Sequence, residues 1–458
     1  MNAFDPAYEN REVWVIDPVG KLSWHKSLEG SSASGLSQDV VDSLSAVNTQ
    51  FYLDESRWLI VGGYGYKRSV ADHVTYNSLT VIDLPGLVGW VKEDAGFESS
   101  LAADHIEKIR DNYFQVTGGG LERIGDEYQL IFGQNYSGRY RPFLDGIYTK
   151  QVRRFLVDDS ETLAVPSGSK ISTAQNDAFR RRDLNVVTIL ERINPNVFEE
   201  RALVLSGVFT PETGVWTAPV LISPNGSVVM EDPLADSTLK QAFQVYHCSK
   251  VSLYNRVTSE AHVLLFGGLS VLERDLQTDE FIRDDQVPFT NQCSLVVRGA
   301  NGQVRQYWLP TRFPDIRLGG KELRFGTNAE FFFSKHVARL HPKVIDLASI
   351  ESPTVIGHIL GGIFSDAGNN GNTGASGRIF EVTLVPTTTD AGVSVVKIPS
   401  LQLKWDTVSG QADLIEDSTD LFAWEEFTGT LTDTHTLPLV DPGEVHFYRR
   451  LTSKVTTP

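Results

Sequence analysis

Short apolar runs that close on glycine recur along the chain: "RWLIVGG" (57–63), "EYQLIFG" (127–133), "RALVLSG" (201–207), "AHVLLFGG" (261–268) and "VIGHILGG" (355–362). Their last glycines lie 70, 74, 61 and 94 residues apart. Each run is too short and too rich in β-branched and aromatic residues for a globular helix, so it reads as a strand buried on both faces. Two further strand-like runs around a turn follow each of them: "LTVIDLPGLVGWV", "VRRFLVDDSETLAV", "TAPVLISPNGSVVM", "LVVRGANGQVRQYWL" and "VTLVPTTTDAGVSVVKI". Gly, Pro, Asn and Asp crowd these turns, as hairpins require. Ahead of the glycine-ended run there is usually another strand, such as "NTQFYL", "YFQVTGG", "LNVVTIL" or "HCSKVSLY".

The repeating unit is thus four strands with the glycine run second, and its repetition predicts an all-β fold, a β-propeller. The first element, "VWVIDPVGKLSWHK" (13–26), is an outer hairpin with no inner strand before it. Two strands within 420–452, from "DLFAWEEFTGTL" and "EVHFYRRL", are expected to complete that blade and close the ring, making 1–458 one propeller domain. Five complete units plus one shared unit give six blades, and the pattern over 399–446 leaves room for a seventh. Extra length lies between the blades. There "GLSQDVVDSLSAVN", "SSLAADHIEKIRDN" and "STAQNDAFRRRDLN" have helix-like apolar spacing and polar caps, which predicts short helical insertions.

The order "LIVGG" then "LTVIDLPGLVGW", with Gly62, Gly63, Asp83 and Trp90, resembles the kelch family of propellers. Asp17, Pro18 and Trp24 repeat the later part of that motif in the first hairpin. Elsewhere the likeness decays: Gly133 stands alone before Gln134, and Ser206 replaces the first glycine ahead of Gly207. The resemblance implies architecture over most of the chain and little about activity. Related propellers include a sialic acid epimerase and galactose oxidase-like proteins, so a carbohydrate-active enzyme is one alternative that the resemblance implies. In such propellers the loops between strands two and three converge on one face. Here the first carries Tyr64, Tyr66, Lys67, Arg68 and His73, and the second carries Tyr136, Arg139, Tyr140, Arg141 and Asp145.

Composition narrows the classes. The 458 residues are 41% hydrophobic and 10% aromatic, ample for a packed core. The formal charge of -17, from 58 acidic and 41 basic residues, argues against a nucleic-acid partner. No 18-residue apolar run is present, so no transmembrane segment is expected. The first residues lack a charged stretch followed by an apolar one, so no signal peptide is expected. The missing nucleotide and cofactor motifs of intracellular metabolism lean towards an extracytoplasmic setting.

Tyrosine and arginine dominate binding hot spots, because both combine large contact area with fixed polar geometry. The two loops therefore read as a binding surface for a protein or carbohydrate ligand. Against this stands a plainer reading, in which the aromatics cover the face and the arginines pair with the protein's own carboxylates. A third is a structural domain of a larger assembly. No cofactor is expected. Calcium is the one candidate metal, through Asp366 in "FSDAGNNGNTGASG" or the acidic loop with Glu273, Asp275, Asp279, Glu280, Asp284 and Asp285. That spacing matches no standard calcium loop and reads better as a solvated charge run. The ten histidines form no HExxH or His-x-His pair, and nothing resembles a nucleophile elbow or a P-loop. Cys248 and Cys293 fall on strands one and three of one blade, about 9.6 Å apart. A disulfide needs Cα atoms within about 7 Å, so both are expected to be free buried thiols.

Overall fold

The computed structural model describes residues 4–387 except 55, 142–143, 195–196, 212–213 and 279, together with the backbone of Ile398–Leu403, Ala412–Ser418, Glu425–Glu426 and Phe447–Ser453. The chain is all-β with few helices. Five sheets of the blade kind follow one another in a β-propeller arrangement. Among the described residues there are five rather than the expected six, or seven, and the hairpin Glu12–Asp17/Leu22–Ser27 is a two-stranded sheet by itself. The ring closure expected within 420–452 falls mostly outside the described residues. The chain divides into two compact units: residues 1–186, 200–216 and 221–229 in one, the remainder in the other.

In the first unit, the first blade orders Gln50–Leu53, Arg57–Val61, Ser78–Asp83 and Ile106–Arg110. Its second strand is buried on both faces, as the apolar run demands. Leu59 and Val61 enter a cluster with Tyr52, Leu79, Tyr128, Leu130 and Phe155, while Ile60 packs with Ile82, Leu87, Trp90 and Val91. The second blade orders Gly120–Ile124, Glu127–Ile131, Val152–Phe155 and Ile171–Ser172. A third sheet orders Asn185–Asn194, Val197–Leu205, Val220–Ile222 and Val228–Met230, and the division into units falls within it.

In the second unit, one blade orders Ser249–Asn255, Glu260–Leu269, Phe289–Arg298 and Val304–Arg312, and Val344–Asp346 extends it in parallel beside its first strand. The other orders Arg324–Phe333, Thr354–Ser365, Ile379–Thr387 and Ile398–Leu403. Phe266, Phe313, Phe325, Ile359 and Phe380 form the centre of this unit's core. Cys248 and Cys293 are both buried and form no disulfide, and burial pushes the Cys293 thiol up to about 12.

Every glycine-ended run is the second strand of its sheet, and each ends in the same backbone conformation. Two consecutive residues take positive φ: Gly62 and Gly63 (61° and 91°), Phe132 and Gly133 (56° and 82°), Ser206 and Gly207 (52° and 113°), Gly267 and Gly268 (58° and 88°), Gly361 and Gly362 (72° and 75°). The two departures from Gly-Gly therefore keep the geometry while losing the residue type. Each costs roughly 1 kcal/mol in a left-handed conformation. Local contacts offset this: Phe132 stacks on Phe179 at 5.1 Å, and the Ser206 hydroxyl donates to the Trp216 carbonyl at 2.7 Å.

Three expectations need correction. Leu84–Lys92 is a helix, where "DLPGLVGW" was expected to turn into a strand. Pro85 sits in the first turn, and Leu87, Trp90 and Val91 recur at helical spacing on its buried face. This helix supports the N-terminal hairpin: Val13, Val15 and Trp24 pack against it, with Lys26 over Trp90 and Lys92 over Trp24. The expected helix in "SSLAADHIEKIRDN" is one 3-10 turn, Ala102–His105, followed by the blade's fourth strand. Finally, "YFQVTGG" gives the 3-10 turn Asn112–Phe114, and the strand begins only at Gly120.

Candidate ligand-binding face

The double left-handed step after Val61 reverses the chain into a small hairpin, Tyr64–Lys67 against Asp72–Thr75, placed between the second and third strands of the first blade. The second blade repeats the device with Gln134–Asn135 against Ile147–Tyr148. Backbone bonds stitch the two insertions together. Thr75 N–H and hydroxyl both donate to the Tyr136 carbonyl (3.0 and 2.9 Å), Gly138 N–H donates to the His73 carbonyl (2.9 Å), and the Tyr64 phenol donates to the Gly138 carbonyl (2.7 Å).

This stitching brings the sequence-selected aromatics together. Tyr64 stacks on His73 (5.7 Å) and meets Tyr136 edge-on (5.7 Å); Tyr66 meets His73 (5.3 Å), and Tyr136 meets Tyr140 (5.6 Å). Tyr64, His73 and Tyr136 are buried, and burial raises the Tyr64 phenol well above its ordinary range. Phe4 completes the group, edge-on to Tyr64 at 5.2 Å and to Tyr140 at 5.6 Å.

The cations divide into two kinds. Lys67 pairs with Asp39 (3.5 Å), and Arg68 pairs with Asp42 and Glu9. For these two the plain reading, pairing with the protein's own carboxylates, describes the geometry. Arg139 and Arg141 are exposed, and neither makes an ion pair among the described residues. The Arg141 backbone N–H donates to the Tyr136 hydroxyl at 3.1 Å, which orients the segment that carries both.

Asp39 also takes Lys108 (2.9 Å) and Arg110. Its burial would raise the carboxyl, but hydrogen bonds and charge from Arg110 and Lys108 outweigh that and hold it well below the usual range. A depressed carboxyl stabilises the fold above its unfolded pKa of about 3.9, and that stability is lost as pH falls through the lower folded value. The melting temperature of the unmodified protein is therefore expected to fall below about pH 4 more steeply than that of Asp39→Asn. Parallel pH–melting curves check this, and identical slopes would contradict it.

The sequence reading missed the three arginines of "AFRRRDL". It placed them in a helical insertion, whereas the structure forms only the 3-10 turn Asp177–Phe179, capped by Asn176. Arg180 lies over Tyr148 (4.2 Å) and pairs with Asp145. Arg182 lies over Phe209 (4.9 Å) and Tyr140 (5.9 Å). Burial would lower its guanidinium, and Asp183, Tyr148 and Tyr140 together more than offset this. Arg181 is fully buried, donates to the carbonyls of Ala178 (3.3 Å) and Ser206 (3.2 Å), and lies over Trp216 at 4.8 Å. One signal was available: three successive arginines beside a run of apolar strand residues cannot all occupy one solvated helix face.

In the second unit the acidic loop's carboxylates serve its own turns. Asp275 accepts from the N–H groups of Gln277 and Thr278, Asp284 from Gln286 N–H and the Asn369 amide, and Glu273 from the Thr290 hydroxyl. Asp285 pairs with Arg283, and Asp279 lies outside the described residues. Asp366 accepts from Asn372 and pairs with Lys321 at 3.0 Å. Among the described residues, no group of three His, Cys, Asp or Glu side chains could hold a metal ion. No helix among them is long and apolar enough to cross a membrane.

No known family's sequence model matches the chain, and no curated protein matches it. One solved structure similar to it is described as "Structure of YjhT": 9% identical, covering 77% of this chain and 84% of that one, with a TM-score of 0.39. At that level the likeness says nothing of ligand or activity.

Proposed function

We propose that the protein is a non-catalytic recognition module and that the face built from the two insertion loops holds an acidic protein or glycan ligand. One observation carries the reading. In a chain of net charge -17, Arg139 and Arg141 stay exposed and outside any ion pair among the described residues, while Lys67, Arg68, Arg180 and Arg182 beside them each have a carboxylate. Flanking Tyr140, the pair offers two forked donors beside an aromatic surface, the combination that gives most at an interface. The Arg141 N–H donates to the Tyr136 hydroxyl, and so ties the pair to the aromatic cluster of Tyr64, Tyr66, His73 and Tyr136.

The test is a thermal-shift screen against acidic peptides and sulfated or carboxylated glycans, followed by titration of Arg139→Ala/Arg141→Ala. The double variant is expected to melt as the unmodified protein does, because exposed substitutions change stability by no more than about 0.5 kcal/mol. It should bind the selected ligand at least tenfold more weakly, with a shallower salt dependence. Unchanged affinity would remove the arginines from the site.

A further inference from the structure

We infer that the tyrosine cluster is a pocket for an aromatic side chain carried on an acidic peptide segment, and that residues Phe4–Glu9 of this chain occupy it in cis. The inference rests on the face proposed above and names its ligand class.

Three contacts along one short segment support it. The Phe4 ring lies edge-on to both Tyr64 and Tyr140. The Phe4 carbonyl meets His73 Nε2 at 2.7 Å. Five residues on, the Glu9 carboxylate accepts from Tyr66 N–H at 3.3 Å and pairs with Arg68 at 3.2 Å. An aromatic anchor, a main-chain hydrogen bond and a carboxylate on arginine are the elements of peptide recognition. A glycan would supply neither the ring nor the peptide carbonyl.

Between these anchors the segment is held by Arg11, which donates to the Pro6 carbonyl at 3.2 Å and pairs with Glu9 at 3.1 Å, rather than by backbone pairing with the blades. Pro6–Tyr8 forms one 3-10 turn capped by Asp5, and Tyr8 is 79% exposed. No backbone–backbone hydrogen bond joins residues 4–10 to the rest of the unit among the described residues. Phe4 itself has φ of 61°, a left-handed conformation that costs a non-glycine residue roughly 1 kcal/mol. A segment anchored at two points and strained at one of them is displaceable by a partner presenting the same pattern. That pattern is a phenylalanine with a carboxylate five residues later. Arg139 and Arg141 flank the tyrosine that Phe4 touches, so a second acidic group on such a partner would fall within their reach.

The experiment titrates the full-length Phe4→Ala protein with a synthetic peptide of residues 1–11 and with the same peptide bearing Phe4→Ala. Heparin, as an anionic polysaccharide, is titrated in parallel. The phenylalanine peptide is expected to bind at least tenfold more tightly than its alanine counterpart. It should bind the unmodified protein more weakly, since the cis segment competes. On the unmodified protein, saturating peptide should accelerate hydrogen exchange over residues 4–9, a readout that holds even if Phe4→Ala impairs folding. Equal affinity for the two peptides, or no peptide binding and no exchange effect, overturns the inference. Heparin binding that depends on Arg139 and Arg141, without peptide binding, would overturn it while leaving the proposed face in place. Peptide binding indifferent to the two arginines would support the pocket and remove the arginines. Binding of neither ligand would overturn both.

Discussion

Gly62→Ala is expected to destabilise the protein by about 2–4 kcal/mol, although the side chain added is a single methyl. Gly62 has φ of 61°, and a Cβ there would lie 2.0 Å from the Val116 carbonyl oxygen and 2.9 Å from that of Phe114. Both are main-chain atoms of the segment leading into the second blade. Neither can rotate away as a side chain would, and the Gly63 N–H already binds the same Val116 carbonyl at 2.9 Å. The methyl therefore adds backbone displacement, about 1–3 kcal/mol as for other overpacked sites, to the left-handed penalty of roughly 1 kcal/mol. Gly267→Ala should behave alike, since its Cβ would lie 2.3 Å from the Phe325 carbonyl oxygen. Gly361 is the control: φ is 72° but nothing lies within 4 Å, so only the conformational term of about 1 kcal/mol remains. Denaturant midpoints for the three variants give the comparison. Equal losses at 62 and 361 would show that the close approach of the next blade carries no weight.

Arg181→Ala is expected to cost about 3–5 kcal/mol, while Arg139→Ala, also an arginine of the first unit, should cost almost nothing. Burial pushes the Arg181 guanidinium down to about 9, so at neutral pH it remains charged inside the fold. Truncation removes the donors to the Ala178 and Ser206 carbonyls, the cation over Trp216, and the volume of a fully buried side chain. The Ser206 carbonyl matters most, because it belongs to the left-handed Ser206–Gly207 step that ends a blade strand. Lysine restores charge without the fork, so Arg181→Lys should recover only part of the loss. Melting curves decide it: a shift under 1 °C for Arg181→Ala would mean that the site collapses around the loss.

Gly62 and Arg181 differ in how far the sequence alone reveals them. The strand that ends on Gly62 was readable because a buried strand needs a continuous apolar run, and a sharp reversal needs residues without Cβ. The same logic located the second strand of every blade, even where Phe132 and Ser206 replace glycine, because the apolar run survives the substitution. It fails at Leu84–Lys92, where Pro-Gly predicts a hairpin turn although the residues beyond it follow a helical period. It fails again at Ile106–Arg110, a five-residue strand whose charged residues imitate a helix surface.

For the candidate face, sequence singled out two loops, and the tertiary structure decided which of their side chains meet and which of their cations are paired. Lys67, Arg68, Arg139 and Arg141 are equivalent in composition. Which two are spent on Asp39, Asp42 and Glu9, and which two stay exposed, depends on where helix Gln38–Leu44 and residues 4–11 lie. The burial of Arg181 and the arrival of Phe4 on Tyr64 and Tyr140 were equally out of reach. Periodicity and turn chemistry are local, so the sequence by itself determined an all-β repeat, the glycine steps and the candidate loops. Pairing of charges and closure of an aromatic cluster join residues some 60 and 140 positions apart, and only the folded chain decides which of many equivalent partners meet.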